Sequence, residues 1–446
     1  MPVSQPRSDF TEPRPLRAAG AADGVDTQSA PHAETGRPNR GEQAASSDKL
    51  RGSALPVSTA SNSNARLGTS LYVHVPFCVV KCGYCDFTSY VVEDQSVHDL
   101  FLRALDQELS STTVPRRPHT VFVGGGTPSH LAPHRLKELF AILSRHVDLA
   151  AAKEVTMEAN PESIDEEKAA IALGGGVTRF SMGVQSFDPQ RLAFLDRAHS
   201  GDRAKAAFGA MRRAGAKNAS MDLIFGLPGQ TVAQWESDLE QALELGPDHL
   251  SCYSLTYEPG TRLHRDLRQG RVVPVEEEAD RAMFLRTREL LTARGFVAYE
   301  ISNFAGRGGP SLHNDHYWLQ GDYVGVGPGA SSHREGVRHT NLKPIEAWAR
   351  AALDGIPPAA SAETLTPRQR LGEALWLGIR RADGIDIDEI ARRVGIAAEL
   401  LLSRTFAEHE RNGWIERAGS RLRLTPQGLL VADVVGSAYL LPGSDS

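Results

Sequence analysis

Three of the four cysteines of this 446-residue chain fall within eight residues, at Cys78, Cys82 and Cys85, in the spacing C-x3-C-x2-C. Thiolates ligate iron–sulfur clusters, and complete protein ligation takes four of them. Here there are three, and Phe87 stands where a fourth would follow. Three thiolates leave one iron of a [4Fe-4S] cluster open, and an open metal position is where chemistry takes place. S-adenosylmethionine (SAM) can fill that position through its amino and carboxylate groups. One electron from the reduced cluster then cleaves a carbon–sulfur bond and releases a carbon radical. The competing reading is a zinc site completed by His74 or Cys252. Compact zinc knuckles pair two C-x2-C elements, and only one such pair is present, so the cluster is the preferred reading. Cys252 reads as a buried packing residue of a strand.

Five further groups have residue types that suit a ligand such as SAM. Gly124-Gly125-Gly126-Thr127-Pro128 follows an apolar run, and glycines there let a ligand approach the backbone and leave amides and carbonyls free for it. Glu158 suits the amino group or the ribose. Gln185 and Asp222 suit the sugar or base, and Arg197 suits a carboxylate. Singly, each reads equally as a strand-end cap or a surface charge; it is their joint placement that points to binding. A sixth group, His313-Asn314-Asp315-His316-Tyr317-Trp318, puts two imidazoles and two large aromatics into six residues. Imidazole can ligate haem iron and aromatics can stack on a macrocycle. On composition alone an aromatic packing anchor is the better reading. The following Gly325–Ala330 reads as a flexible loop.

The elements that must position these groups alternate. Strands are expected at 71–75, 120–123, 154–158, 179–184, 220–224 and 249–255, with helices at 97–110, 134–145, 166–173, 203–214 and 232–245. Six β–α units in a row imply a parallel sheet. Each strand ends in one of the reactive or glycine-rich groups, which is how a (β/α) barrel presents its active face. A doubly wound sheet would gather them at one switch point. The fold expected is therefore α/β, a partial TIM-like barrel over residues 69–300. An extension, 301–362, carries the His313–Trp318 motif and a strand at 297–301 precedes it. Residues 363–446 read as a small winged-helix-like domain: helices at 368–378, 387–394 and 398–412, a hairpin at 414–417 and 421–424, and a last helix near 426–436. Residues 1–68, rich in Ala, Ser, Pro, Gly and Arg with a single aromatic, cannot bury enough surface to offset their ordering and read as a disordered leader.

Composition narrows the function classes. Apolar residues make up 41% and charged residues 23%, as in soluble globular chains. The net charge of −6 is not that of a nucleic-acid binder. Basic residues of the C-terminal segment, such as Arg392 and Arg393, alternate with acids such as Asp386 and Asp388, which reads as a solvated face. No apolar run is long enough to span a membrane. There is no secretory signal, and clustered cysteines without one place the chain in a reducing cytoplasm.

Over about residues 70–440 the chain resembles the HemW family of haem chaperones, which is related to oxygen-independent coproporphyrinogen III dehydrogenase (HemN). The resemblance is carried by Tyr72–Phe87, Gly124–Pro128, Glu158–Pro161, Gly183–Ser186, Asp222–Gly229, His313–Trp318, Leu375–Arg380 and Leu424–Gly428. It implies a radical SAM fold and SAM contacts at Tyr72, Tyr84, Gly125, Gly126, Thr127, Glu158, Gln185, Arg197 and Asp222. It also implies haem binding that involves the motif at His313, transfer of haem to respiratory haem proteins, and a homodimer among the assemblies open to it. The preference for a packing role at His313–Trp318 is thereby reversed. HemN-type dehydrogenases have a further cysteine two residues after the third; Phe87 occupies that place here and counts against porphyrinogen decarboxylation.

Overall fold

The computed structural model describes residues 68–443. The expected leader, 1–68, lies outside the described residues apart from Gly68. Six strands, β1 (Ser70–Val75), β2 (Thr120–Gly125), β3 (Glu154–Ala159), β4 (Arg179–Gln185), β5 (Ala219–Phe225) and β6 (His249–Ser254), lie side by side in sequence order and all parallel. Every position of β1, β2, β4 and β5 is buried. That is the pattern of a parallel sheet covered on both faces. The polar residues that alternate along these strands, such as Arg179, Ser181 and Gln185 of β4, are buried as well. The connecting helices start at polar caps. Asp94 accepts from the Ser96 amide at 2.9 Å ahead of the helix Gln95–Ser111, and Thr231 and Gln234 form a capping box on Val232–Glu244.

The sheet continues past both ends of this set. β7 (Val297–Ala298) and β8 (Asn303–Ala305) form a hairpin on β6. Of the strand expected at 297–301 only Val297–Ala298 is strand; the rest turns the chain into β8. On the other side β9 (Tyr323–Val326) adds a seventh parallel strand to β1, and β10 (Ser331–Arg334), β11 (Val337–Asn341) and β12 (Ala359–Thr364) follow antiparallel. The sheet is therefore open, in the order β12-β11-β10-β9-β1-β2-β3-β4-β5-β6-β8-β7. Part of the expected loop at Gly325–Ala330 is strand β9. Gly325 is glycine because a Cβ there would stand 2.0 Å from the Ser331 carbonyl oxygen, so a residue that reads as loop is a close backbone crossing within the sheet.

The last segment has its own core, in which Leu371, Leu375, Phe406, Leu422 and Tyr439 are buried. Its helices Pro367–Gly378, Ile387–Val394 and Ala398–Arg411 pack with a three-stranded sheet, β13 (Ile385–Asp386), β15 (Arg421–Leu424) and β14 (Ile415–Ala418). Among the described residues no helix is long and apolar enough to cross a membrane.

Candidate cluster and cofactor site

The loop after β1 carries the three cysteines, all free and partly exposed. Its backbone is tied down by Cys78 N–H donating to Tyr90 O at 3.0 Å and Cys85 N–H to Cys82 O at 3.2 Å. Two of the thiols are joined through other strand ends. Cys78 Sγ lies 3.5 Å from Thr127 Oγ1, Asn160 Nδ2 donates to Thr127 Oγ1 at 2.9 Å, Arg197 Nη2 donates to Asn160 Oδ1 at 2.9 Å, and Arg197 Nη1 donates to Cys82 Sγ at 3.4 Å. Groups from the ends of β1, β2 and β3 and from the segment after β4 thus converge on the cysteine loop. Among the described residues no three Cys, His, Asp or Glu side chains close around a single ion. A zinc would need that geometry, whereas in a cluster each thiolate meets its own iron. Burial pushes the Cys78 thiol up and the Cys85 thiol up to about 12, so a cationic metal centre is what would hold both as thiolates.

The glycine run works differently from the sequence expectation. The amides of Gly125, Gly126 and Thr127 all have protein partners: Glu158 Oε2 at 2.8 Å, Val75 O at 2.8 Å and Phe77 O at 2.7 Å. They are not left free for a ligand. The glycines instead permit close packing. A Cβ on Gly125, whose φ is +98°, would stand 2.2 Å from His74 Nδ1, and one on Gly126 would stand 2.6 Å from Val75 O. Tyr72, deep in the barrel, lies 2.9 Å from His74 Nδ1 through its hydroxyl, and His74 Nε2 lies 2.7 Å from Thr88 O. A carbonyl only accepts, so Nε2 carries the proton and the Tyr72 hydroxyl donates to Nδ1. Burial lowers His74 to about 4, which keeps it in that neutral form.

The remaining groups have capacity to spare. Burial raises Glu158, opposed by the Gly125 amide, and the charge of Asp222 raises it further. Asp222 is 7% exposed, and among side chains its two oxygens share the single Ser181 hydroxyl at 3.2 and 3.1 Å. Two acids so placed suit a cationic ligand. Gln185 Oε1 and Arg197 Nε are buried without a partner, an acceptor and a donor that a ligand can satisfy. Tyr84 packs with Leu195, Ile224 and Leu263 beside the cysteine loop, and burial raises its hydroxyl well above the usual value. The site therefore has the groups SAM requires: acids for its ammonium and sulfonium, an amide acceptor and a guanidinium. Asn160, which links Thr127 to Arg197, is legible within the quoted motifs without a role of its own, and His74, weighed in the sequence only as a zinc ligand, is instead bound to Tyr72 and Thr88.

His313 is not on this rim. It belongs to the helix Leu312–Trp318, whose start is anchored on the first residues of β2 and β3: His313 Nδ1 is 2.7 Å from Thr120 Oγ1, and the amides of Leu312 and His313 donate to Glu154 at 3.0 and 3.1 Å. Thr120 lies five residues below Gly125 on β2, about 17 Å along a strand, so the motif closes the opposite end of the barrel. His313 is 1% exposed, its Nε2 is 3.0 Å from the Tyr317 hydroxyl, and its ring stacks on Phe122 at 5.1 Å. Phe122 in turn stacks on Tyr72 at 6.2 Å. An aromatic column thus connects the two ends. Cys252, expected as packing, is buried in β6, apart from the cysteine loop.

An open parallel α/β barrel with a three-cysteine loop and polar groups gathered at its carboxyl ends has the fold of a radical SAM protein. The family model of the radical SAM superfamily matches residues 72–242, and that of the HemN C-terminal domain matches residues 365–431. A "Heme chaperone HemW" of Bacillus subtilis is 34% identical over 375 residues, covering 83% of this chain and 99% of the relative. One of Mycobacterium tuberculosis is 36% identical over 370 residues, covering 82% and 93%. The chain belongs to the HemW family. Coproporphyrinogen III oxidase (HemN) of Escherichia coli shares its fold, with a TM-score of 0.73 at 22% identity over 84% of this chain and 90% of that one.

Proposed function

We propose that this protein is a haem chaperone that holds a [4Fe-4S] cluster on Cys78, Cys82 and Cys85, binds SAM at the barrel mouth, and carries haem to respiratory haem proteins. The observation that carries the reading is the three-cysteine loop, with Phe87 in place of a fourth cysteine, in a chain that matches HemW relatives over almost their whole length. When bound, the cluster supplies one-electron reduction at an open iron. The chain's own groups do the rest. Glu158 and Asp222 would hold the cationic parts of SAM, Arg197 Nε its carboxylate, and Gln185 Oε1 a hydroxyl or amine. Tyr72, Tyr84, Gly125, Gly126 and Thr127 shape the walls. The free thiols suit a reducing cytoplasm, and a homodimeric form is part of the proposal.

Haem handling is assigned to the Leu312–Trp318 helix, with His313 as its binding residue. Both nitrogens of that ring face partners, so coordination by His313 requires the Tyr317 hydroxyl to let go of Nε2. The test is titration of the cluster-loaded protein with haemin. Haem bound near one per chain, and lost in His313→Ala, supports the assignment. Haem binding unchanged in that variant moves the ligand elsewhere, and no binding at all contradicts the chaperone reading.

A further inference from the structure

Gln185 ends β4 with φ +67°, a left-handed conformation that a non-glycine residue adopts only where its surroundings impose it. A tight turn, in which the Ser186 amide donates back to Val184 O at 2.9 Å, carries it, and the surroundings brace that turn from three sides. Arg197 Nη2 donates to Gly183 O at 2.6 Å, His199 Nε2 meets Val184 O at 3.0 Å, and Asp238 accepts from the Phe187 amide at 2.9 Å and the Ser186 hydroxyl at 2.7 Å. The chain pairing shifts register at Gly183/Gln185 for the same reason. All this fixes a side chain that is 4% exposed and whose Oε1 has no partner. A strained backbone that presents an unsatisfied acceptor is the mark of a ligand contact rather than of packing.

His199 is itself held. It is 7% exposed, and its Nδ1 lies 3.4 Å from Glu162 Oε2, a separation of ion-pair length off the hydrogen-bonding line. Neither of those two buried atoms has a hydrogen-bond partner. Burial pushes the Glu162 carboxyl up, but the His199 contact and the Arg197 charge outweigh it and hold the group below its usual range. A charged acid thus backs an imidazole whose far nitrogen grips the carbonyl immediately before Gln185.

We propose that Glu162 and His199 are positioning residues for the ligand at the barrel mouth: they hold the Val184 carbonyl so that Gln185 Oε1 is aimed at an O–H or N–H donor of the ligand, such as a ribose hydroxyl or an amine of SAM. This rests on the SAM reading above. It gives the pair a role that neither metal ligation nor SAM contact requires of it, since neither side chain touches a cysteine or reaches the unpaired Oε1.

The test is the SAM dissociation constant of the reconstituted, cluster-loaded full chain, with iron content measured alongside. Gln185→Ala and His199→Phe are each expected to weaken SAM by about tenfold, the scale of one lost buried hydrogen bond, at unchanged iron content. The double variant is expected to be no weaker than the worse single, because both remove the same contact. His199→Gln, which keeps a donor for Val184, is expected to recover most of the affinity. Wild-type affinity in His199→Phe, or losses that multiply in the double variant, would overturn the proposal. So would a His199→Phe loss that His199→Gln fails to recover while iron content drops, which is general damage. A wild-type chain that holds iron but no SAM overturns the underlying reading, and this inference with it.

Discussion

Glu108 places a carboxylate, 2% exposed, among three donors: the Gly327 amide at 2.7 Å, Asn341 Nδ2 at 2.6 Å and Trp348 Nε1 at 3.0 Å. Burial nevertheless raises it from 4.5 to about 7. Between those values the folded chain keeps a proton that the unfolded chain has released, so this group's stabilising contribution is complete below pH 4.5 and is lost as pH rises through 7. The loss amounts to about 3 kcal/mol. Urea denaturation at pH 5 and pH 8 is expected to show that difference for the wild type relative to Glu108→Gln, which has no proton to lose there. Gly125→Ala is the second test at this scale. Its Cβ would strike the His74 ring and the Tyr72 hydroxyl, both held by hydrogen bonds, at a φ that disfavours any side chain. A loss of stability of about 2 kcal/mol or more is expected, together with loss of SAM binding. A fully stable Gly125→Ala would show that the β2 turn is looser than described.

The helix Leu312–Trp318 shows what an element adds to its residues. Glu154 accepts from its first two amides and from Ser311 Oγ at 3.4 Å, Asp315 of its first turn pairs with Arg381 at 2.7 Å, and at its last residue Arg380 lies over Trp318 at 5.5 Å. Glu154→Ala leaves buried donors unpaired and is expected to cost about 3 kcal/mol, and hydrogen exchange should quicken across residues 311–319 first. Arg381→Ala breaks a partly exposed pair and should cost less, about 1 kcal/mol. The sequence made the parallel strands legible because they are short β-rich runs between helical periods, and the rim residues because they stand at or near the ends of such runs. β10–β12 escaped because short, polar antiparallel strands such as Ser331–Arg334 and Ala359–Thr364 carry no burial pattern of their own. The motif was legible as chemistry, but its distance from the cysteines was not. Which end of a barrel a helix closes depends on the Thr120 and Glu154 contacts, and these are nearly 200 and 160 residues away in sequence.

The whole molecule joins two cores through that helix. Arg393 of the last domain also donates to Leu319 O at 2.6 Å, so the HemN-type domain holds the C-terminal end of that helix. A chain ending at residue 363 is expected to expose Trp318, now 7% accessible, and to shift its fluorescence to the red, while iron bound at the distant cysteine loop is retained. The proposed function has radical SAM machinery serve haem binding and not porphyrinogen oxidation. Its most direct test is anaerobic incubation of the cluster-loaded protein with coproporphyrinogen III, SAM and reductant, with bound haem counted in the same preparation. The account predicts about one haem per chain and no vinyl product. Vinyl product that disappears in Cys82→Ser would contradict it and make this protein a dehydrogenase.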